Sequence, residues 1–172
     1  MIEALAQLPE TLLVIAGEGP ERASIEKLAR EHHVAERVRL LGRVAQDRLP
    51  QIYSAADLLL LVSSHEGWPN VLLESMACGT PVVVSDIESI SDIVAAPEAG
   101  CIVAGVTASR LADTVRDLLA RPPARDATRR YAKQFDWQST TEGQIALFQE
   151  ICERRSRESA RVQAPHSRRM RR

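Results

Sequence analysis

The stretch DLLLLVSSHEGWPNVLLESMACGTPVVVSD, residues 57–86, decides the fold class of this chain. Its first part, DLLLLVSS (57–64), is apolar without polar alternation, the pattern of a strand buried on both faces in a parallel sheet. Asn70 to Cys78 has helical spacing, with Gly79 as its stop signal and Pro81 just beyond. PVVVSD (81–86) is the next strand. A strand, a helix and a second strand in that order form a unit of an α/β sheet.

The same alternation extends in both directions. Upstream, residues 1–8 resemble the end of an amphipathic helix, and TLLVIAG (11–17) is a short apolar strand ended by glycine. In GPERASIEKLAREHHV, Pro20 suits a first helical position, and Ile25, Leu28, Ala29 and His32 recur at helical spacing. RVRLLG (37–42) is a strand and DRLPQIYSAA a short helix. Downstream, SISDIVAA reads as a short helix and GCIVAG as a strand. ASRLADTVRDLLA is amphipathic, with Leu111, Val115, Leu118 and Leu119 on one face, and Pro122 and Pro123 end it. Two further helices follow over Arg125–Phe135 and Trp137–Glu153. The expected architecture is α/β, a Rossmann-like parallel sheet of five strands with helices on both faces.

The chain has 172 residues and 45 % hydrophobic content, enough for one domain with a sizeable core. No apolar run reaches the ~18 residues needed to span a bilayer. Met1 leads into IEALAQLPE without a basic segment or a cleavage signal, which points to a cytoplasmic protein. Cys78, Cys101 and Cys152 fit no metal-ligand spacing, and an odd number cannot pair internally, so reduced thiols and no bound metal are expected.

The net charge of −1 conceals an asymmetry. Residues 154–172 carry eight arginines and one glutamate, whereas the remainder carries 14 basic and 22 acidic residues. The boundary is therefore set at 153, with 1–153 the folded domain and 154–172 a basic, disordered tail. Such a tail suits an anionic membrane surface, which would place the protein peripherally at the inner face of the membrane; a solvated end with no partner is the alternative. The acidic body argues against nucleic-acid binding.

Within residues 63–86, two glutamates are separated by seven residues, and a helix start lies between them. A helix start offers unpaired N–H groups and about half a positive charge, which suits a phosphate. Pro69 has no N–H, so the donors would be Gly67, Trp68, Asn70 and Val71. A carboxylate accepts hydrogen bonds from hydroxyls, and its two oxygens match two adjacent hydroxyls of a sugar. Glu66 before the helix and Glu74 inside it are thus placed to grip sugars on either side of a pyrophosphate, the layout of a nucleotide-sugar. On spacing alone, a surface glutamate is the better explanation at 74, and complementing the helix dipole is a sufficient one at 66.

EGWPNVLLESMACGTPVVVSD resembles the donor-site motif of family 4 glycosyltransferases, which have the two-domain GT-B fold. VIAGEGPERASIEKLARE is similar to that family's glycine-rich loop and following helix. VRLLGRV with LPQIYSAADLLLLVSSHEG is similar to its next two strands, and FDWQSTTEGQIALFQEI to its closing helix. The resemblance covers about residues 1–153, one C-terminal GT-B half. It implies that Glu74 takes the ribose hydroxyls and Glu66 hydroxyls of the transferred sugar. The amides from Gly67 through Trp68 to Asn70 and Val71 would meet the pyrophosphate. Gly17 and Gly19 would let their loop pass close to the donor, and the base would rest near Arg43 and Val44. A UDP- or GDP-sugar is then a substrate, with no cofactor and no metal.

The resemblance also implies absences. The family's domain opens with a strand and a cationic loop that have no counterpart in this sequence. The nearest basic candidates, Arg22, Arg39 and Arg43, read as solvated. The N-terminal acceptor domain has no counterpart either, so an acceptor-binding half supplied by another chain is an implied partner. The implied function is the donor-binding half of a retaining glycosyltransferase, incomplete on its own. The alternatives are a non-catalytic binding or assembly module, a GT-B epimerase of nucleotide-sugars, and, at the level of fold alone, a flavodoxin-like signalling domain.

Overall fold

A computed structural model describes residues 1–163, apart from the side chains at 139, 156 and 158–163. It divides into two units, Met1–Gln134 and the part from Phe135 onward.

In the first unit, α1 (Ile2–Leu5) leads to β1 (Leu13–Ala16), α2 (Arg22–Glu31), β2 (Val38–Gly42) and α3 (Leu49–Ala55). Then come β3 (Leu59–Leu61), α4 (Asn70–Ala77), β4 (Val82–Ser85), α5 (Glu88–Ser91) and β5 (Gly100–Val103), closed by α6 (Ala108–Ala120) and α7 (Arg125–Ala132). The element order follows the sequence expectation, and every strand pairing is parallel. The single five-stranded sheet is not found. β1 pairs with β2, and β3, β4 and β5 form a second sheet in that order. Among the described residues no ladder joins β1 to β3.

Strand periodicity distributes the apolar side chains between two helical layers. Leu58, Leu60, Val62, Val83, Cys101 and Val103 pack with Ala4, Leu8 and the α6 stripe of Leu111, Ala112, Val115 and Leu118. Alternate residues Leu59, Leu61, Val82, Val84 and Ile102 point to the other layer, where Leu72 and Met76 of α4 and Ala132 of α7 meet them. β4 is completely buried, so burial on both faces belongs to Val82–Ser85. β3, where its composition predicted the same, is only half-buried. A third cluster packs Ile2 and Leu5 of α1 with Ala29, Val34, Leu13, Ile25 and Val38. Each fully buried aliphatic side chain contributes about 1.5–3 kcal/mol relative to exposure. The Arg37 guanidinium fixes the α1–β1 connection by donating to the carbonyls of Leu5, Leu8 and Thr11 at 3.1, 2.5 and 3.0 Å.

Helix ends explain the boundaries. α4 stops in a Schellman turn: Gly79, at φ +82°, donates to the Met76 carbonyl at 2.8 Å, and Thr80 donates to that of Ser75 at 3.0 Å. α2 ends in the same hydrogen-bond pattern, with His33 donating to Arg30 and Val34 to Ala29, but a histidine holds the left-handed position at φ +55°. At the start of α6 the Thr107 hydroxyl accepts from the Arg110 amide at 3.2 Å. Pro20 lies ahead of α2 rather than at its first position.

The second unit contains α8 (Trp137–Gln163). Its start is marked by Asp136, whose carboxylate accepts from the Gln138 amide at 3.1 Å. Ile145, Phe148 and Ile151 are exposed on it. The helix does not stop at Glu153, where the tail was expected to begin. The arginines and the single glutamate beyond that point are good helix formers, and Glu153 pairs with Arg157 one turn on. The rest of the expected tail, 164–172, lies outside the described residues. Among the described residues no helix is long and apolar enough to cross a membrane.

Candidate functional site

The loops that leave the carboxyl ends of β1, β2 and β3, with α4 after the last of them, carry the sequence-derived candidates, where open α/β sheets bind ligands. β1 ends at Gly17, whose amide donates to the Gly42 carbonyl at 2.8 Å. Gly17 has φ +144°, a conformation that L side chains rarely adopt, so its loop turns away as it could with no other residue. Gly17 and Gly19 line a cleft of about 240 Å³ with Ile15, Arg22, Ile25 and Leu40. Arg22, expected to be solvated, ion-pairs with Glu26 at 3.1 Å. Arg39 donates to the carbonyls of Glu36 and Val38.

The loop after β2 carries exposed Arg43 and half-buried Val44 and then reaches Gln46. Gln46 Nε2 donates to Glu74 Oε1 at 3.4 Å, and Tyr53 Oη donates to Glu74 Oε2 at 3.0 Å. Both carboxylate oxygens are therefore engaged from one side, by the β2–α3 segment. Burial, and after it the hydrogen bond and charge of Glu74, hold the Tyr53 phenol well above its ordinary pKa, so it is the donor. Tyr53 is itself anchored, because the buried Thr80 hydroxyl donates to its carbonyl at 2.6 Å, and Ser75 Oγ donates to the Thr80 carbonyl at 3.0 Å. Arg125 of α7 donates to the carbonyls of Ser54 and Ala56 at 2.9 and 2.7 Å and so caps the end of α3.

The loop after β3 is tied to β4. Ser85 Oγ donates to the Ser63 carbonyl at 2.6 Å and accepts from the Ser63 amide at 3.1 Å. Further along, Ser89 Oγ donates to the Glu66 carbonyl at 2.8 Å. Glu66 is half-buried, and the carboxylate of Glu74 is met by Gln46 and Tyr53 rather than by Glu66. Pro69 is buried at the head of α4, and Leu72 donates back to its carbonyl at 3.1 Å. The amides of Gly67, Asn70 and Val71 have no acceptor among the described residues, and no side chain caps the helix. Trp68 is half-exposed beside them. A Cβ on Gly67 or Gly19 would meet open space. His65 is exposed, with Ser64 as its side-chain contact at 3.3 Å.

The fold thus joins Gly17 to Gly42, brings the Arg43–Gln46 loop onto Glu74, and presents open amides one turn before that carboxylate. Glu66 is held by its main chain on the neighbouring loop. Sequence reasoning missed Tyr53, Gln46 and Ser89. Their partners lie 21, 28 and 23 residues away, and no local periodicity marks such contacts. Among the described residues, no group of three or more His, Cys, Asp or Glu side chains is arranged to hold a metal.

The model of the glycosyl transferases group 1 family matches residues 1–135. The D-inositol 3-phosphate glycosyltransferase of Mycolicibacterium smegmatis is 33 % identical over 156 residues, covering 86 % of this chain and 36 % of that protein. The glycogen synthase of Mycobacterium tuberculosis is 34 % identical over 145 residues, covering 81 % and 35 %. Among solved structures, sucrose-phosphate synthase from Thermosynechococcus elongatus is similar with a TM-score of 0.74 and 30 % identity, covering 88 % of this chain and 41 % of that one. Anabaena HepE in complex with UDP-glucose is similar with a TM-score of 0.74 and 26 % identity, covering 87 % and 44 %. The chain spans little more than a third of the length of the curated relatives it matches. It belongs to the glycosyl transferases group 1 family.

Proposed function

We propose that the chain is the donor-binding half of a retaining, family 4-type glycosyltransferase that moves a sugar from a UDP- or GDP-sugar to an acceptor hydroxyl. One observation carries this reading: the Glu74 carboxylate, engaged from one side on both oxygens, stands one turn inside a helix whose Asn70 and Val71 amides have no acceptor among the described residues. Glu74 would accept from the two ribose hydroxyls with its remaining lone pairs. The amides of Gly67, Trp68, Asn70 and Val71 would receive the pyrophosphate at the positive end of α4. Glu66 would take hydroxyls of the sugar, and the base would lie along the main chain at Arg43 and Val44, within the loop that Gln46 fastens to Glu74. The UDP-glucose complex of the similar HepE supports a nucleotide-sugar as the ligand class.

In the transfer, the acceptor hydroxyl oxygen forms a bond to the anomeric carbon as the bond to the β-phosphate oxygen breaks; the electron pair leaves with the nucleoside diphosphate, whose departing phosphate oxygen takes the hydroxyl proton. The helix end favours that departure by stabilising the developing charge. A donor pyrophosphate carries about two negative charges and a helix end about half a positive one, so further cations are required for tight binding. Losing one partner of a buried charge-assisted contact costs about 2–5 kcal/mol. Donor binding by this chain is therefore weak, and transfer requires an acceptor-binding half.

The test is a titration of the isotope-labelled chain with UDP, GDP and ADP, followed through backbone amide shifts and calorimetry. Saturable shifts at Gly67, Asn70 and Val71 are expected for one nucleotide, and Glu74→Ala removes them. The reading fails if no nucleoside diphosphate perturbs these amides, or if Glu74→Ala binds as the parent does. The first result would instead favour a non-catalytic assembly module.

A further inference from the structure

β5 forms the outer strand of the β3–β4–β5 sheet, and its far edge is open. The carbonyls of Ala99 and Val103 accept from the amides of Val82 and Asp86 at 2.9 and 3.2 Å, so these residues and Cys101 between them turn toward β4. Gly100 and Ile102 turn their amides and carbonyls the other way, and among the described residues no donor or acceptor meets them. A strand edge is ordinarily blunted by a charge, a proline or a covering segment. Gly100–Val103 has neither charge nor proline. Beside it lies a groove of about 880 Å³, lined by Gly100, Cys101 and Ile102, by Asp117 and Arg121 from α6, and by Ala127 of α7. Its volume is that of an occupied site.

The edge is complementary to itself. In an antiparallel ladder, opposed residues exchange both backbone hydrogen bonds at every second position. Gly100 and Ile102 have that spacing. A two-fold axis through Cys101 therefore sets Gly100 of one copy opposite Ile102 of the other, and every outward backbone group finds a partner. The rim charges obey the same axis. Asp117 stands beside Cys101, whose thiol is held above its ordinary pKa by burial and then by that charge. Arg121 lies one turn further along, at the C-terminal end of α6. Neither Asp117 nor Arg121 has a side-chain hydrogen bond or ion pair among the described residues. The axis lays the two copies of α6 antiparallel on one face, with Arg121 of each toward Asp117 of the other.

We propose that β5 is the pairing edge of a homodimer, joining β5 of a second copy in antiparallel register centred on Cys101 and making their sheets continuous. The occupant is a second copy because the backbone register closes on itself and the rim carries both charges in positions that the axis exchanges. The contact is isologous, so assembly stops at two chains. The paired strands are short, which makes the dimer a weak one. This inference does not rest on nucleotide binding.

The full chain is followed by sedimentation and hydrogen exchange from dilute solution up to about 1 mM. In step with dimer formation, the amides of Gly100 and Ile102 are expected to exchange at least tenfold more slowly, while those of Cys101 and Val103, already bonded to β4, change little. Ile102→Pro removes an edge donor that β4 does not use and weakens the dimer by about tenfold or more. A second arm guards against a disturbed strand: Arg121→Glu and Asp117→Arg each weaken association by about tenfold, because the axis doubles every contact, and an equimolar mixture recovers it as a heterodimer. The proposal is overturned if the chain stays monomeric at the highest concentration, which would leave the edge to a strand of a different protein. It is equally overturned if the Gly100 and Ile102 amides are already protected in the monomer, if a dimer forms while they exchange freely, or if the substitutions leave association unchanged.

Discussion

Tyr53 donates its phenolic hydrogen to Glu74 Oε2 at 3.0 Å, and the two residues belong to different helices, α3 and α4. The bond fixes the carboxylate in one rotamer before any ligand arrives, which lowers the ordering cost of binding. Under the proposed function, Tyr53→Phe therefore weakens nucleotide binding although Tyr53 is not proposed to touch the ligand. Hydrogen bonds to charged groups are worth about 1.5–3 kcal/mol, and a loss of about 1.4 kcal/mol is tenfold in affinity. Titrations with a nucleoside diphosphate and its 2′,3′-dideoxy analogue separate positioning from general damage. The ribose preference of the parent shrinks in Tyr53→Phe if Tyr53 positions Glu74; equal weakening of both ligands contradicts this.

The same phenol makes stability sensitive to alkali. Burial first, then Glu74, raises the Tyr53 pKa above its ordinary value near 10. Burial and the charge of Asp117 likewise raise the Cys101 thiol above its ordinary value near 8.5. For both groups the folded state holds the proton more tightly than the unfolded chain. Their stabilising contributions are complete below about pH 8.5 and are lost as pH rises through the folded values. Urea unfolding at intervals from pH 8 to about 11 should show stability falling in the parent, with a shallower fall in Tyr53→Phe above about pH 10 and in Cys101→Ala from about pH 8.5. Parallel curves for parent and variants would remove this account.

These contacts mark the limit of what sequence reading reached. The strand–helix alternation was readable because burial imposes local periodicities, and α6 occupies Ala108–Ala120 as its apolar stripe and flanking prolines dictate. Glu66 and Glu74 were picked out because a helix start has known electrostatics. The partners of Glu74 were not, since Tyr53 and Gln46 look like ordinary residues of a short helix and its lead-in. The split sheet escaped notice for a related reason: apolar runs report burial but not which neighbour supplies the ladder. The helix beyond Glu153 was missed because a charged composition suits both a solvated tail and a solvated helix, and only the Glu153–Arg157 spacing hinted at the second.

The two Schellman turns differ in one residue and invite a paired test. His33 occupies the left-handed position at the end of α2, where L residues cost about 1–2 kcal/mol and glycine does not. Part of that gain is lost to the greater freedom of glycine in the unfolded chain, about 0.4–1 kcal/mol. His33→Gly is expected to stabilise by about 0.5 kcal/mol. At the end of α4, Gly79→Ala places a Cβ 3.0 Å from the Arg125 carbonyl and in the disfavoured region, so about 2 kcal/mol is lost. Urea midpoints at unchanged m-value measure both. A destabilised His33→Gly would show that the imidazole makes an interaction worth more than the strain.

Ser89 offers a way to separate the roles proposed for the two glutamates. Its hydroxyl donates to the Glu66 carbonyl at 2.8 Å and holds the loop on which that side chain stands, while Glu74 rests on a different set of contacts. Removing a partly buried hydrogen bond of this kind costs about 0.5–1.5 kcal/mol. In Ser89→Ala the loop carrying Glu66 gains freedom, and the amides of α4 keep their geometry. If Glu66 serves the sugar and Glu74 the ribose, Ser89→Ala weakens binding of the nucleotide-sugar by about three- to tenfold and leaves the nucleoside diphosphate unchanged. Glu66→Gln should show the same selectivity, and Glu74→Ala the loss of both ligands. Calorimetry with UDP and UDP-glucose, or their guanosine counterparts, reads the difference directly. An equal loss for both ligands in Ser89→Ala would place Glu66 and Glu74 in one shared contact and would withdraw the division of labour between them.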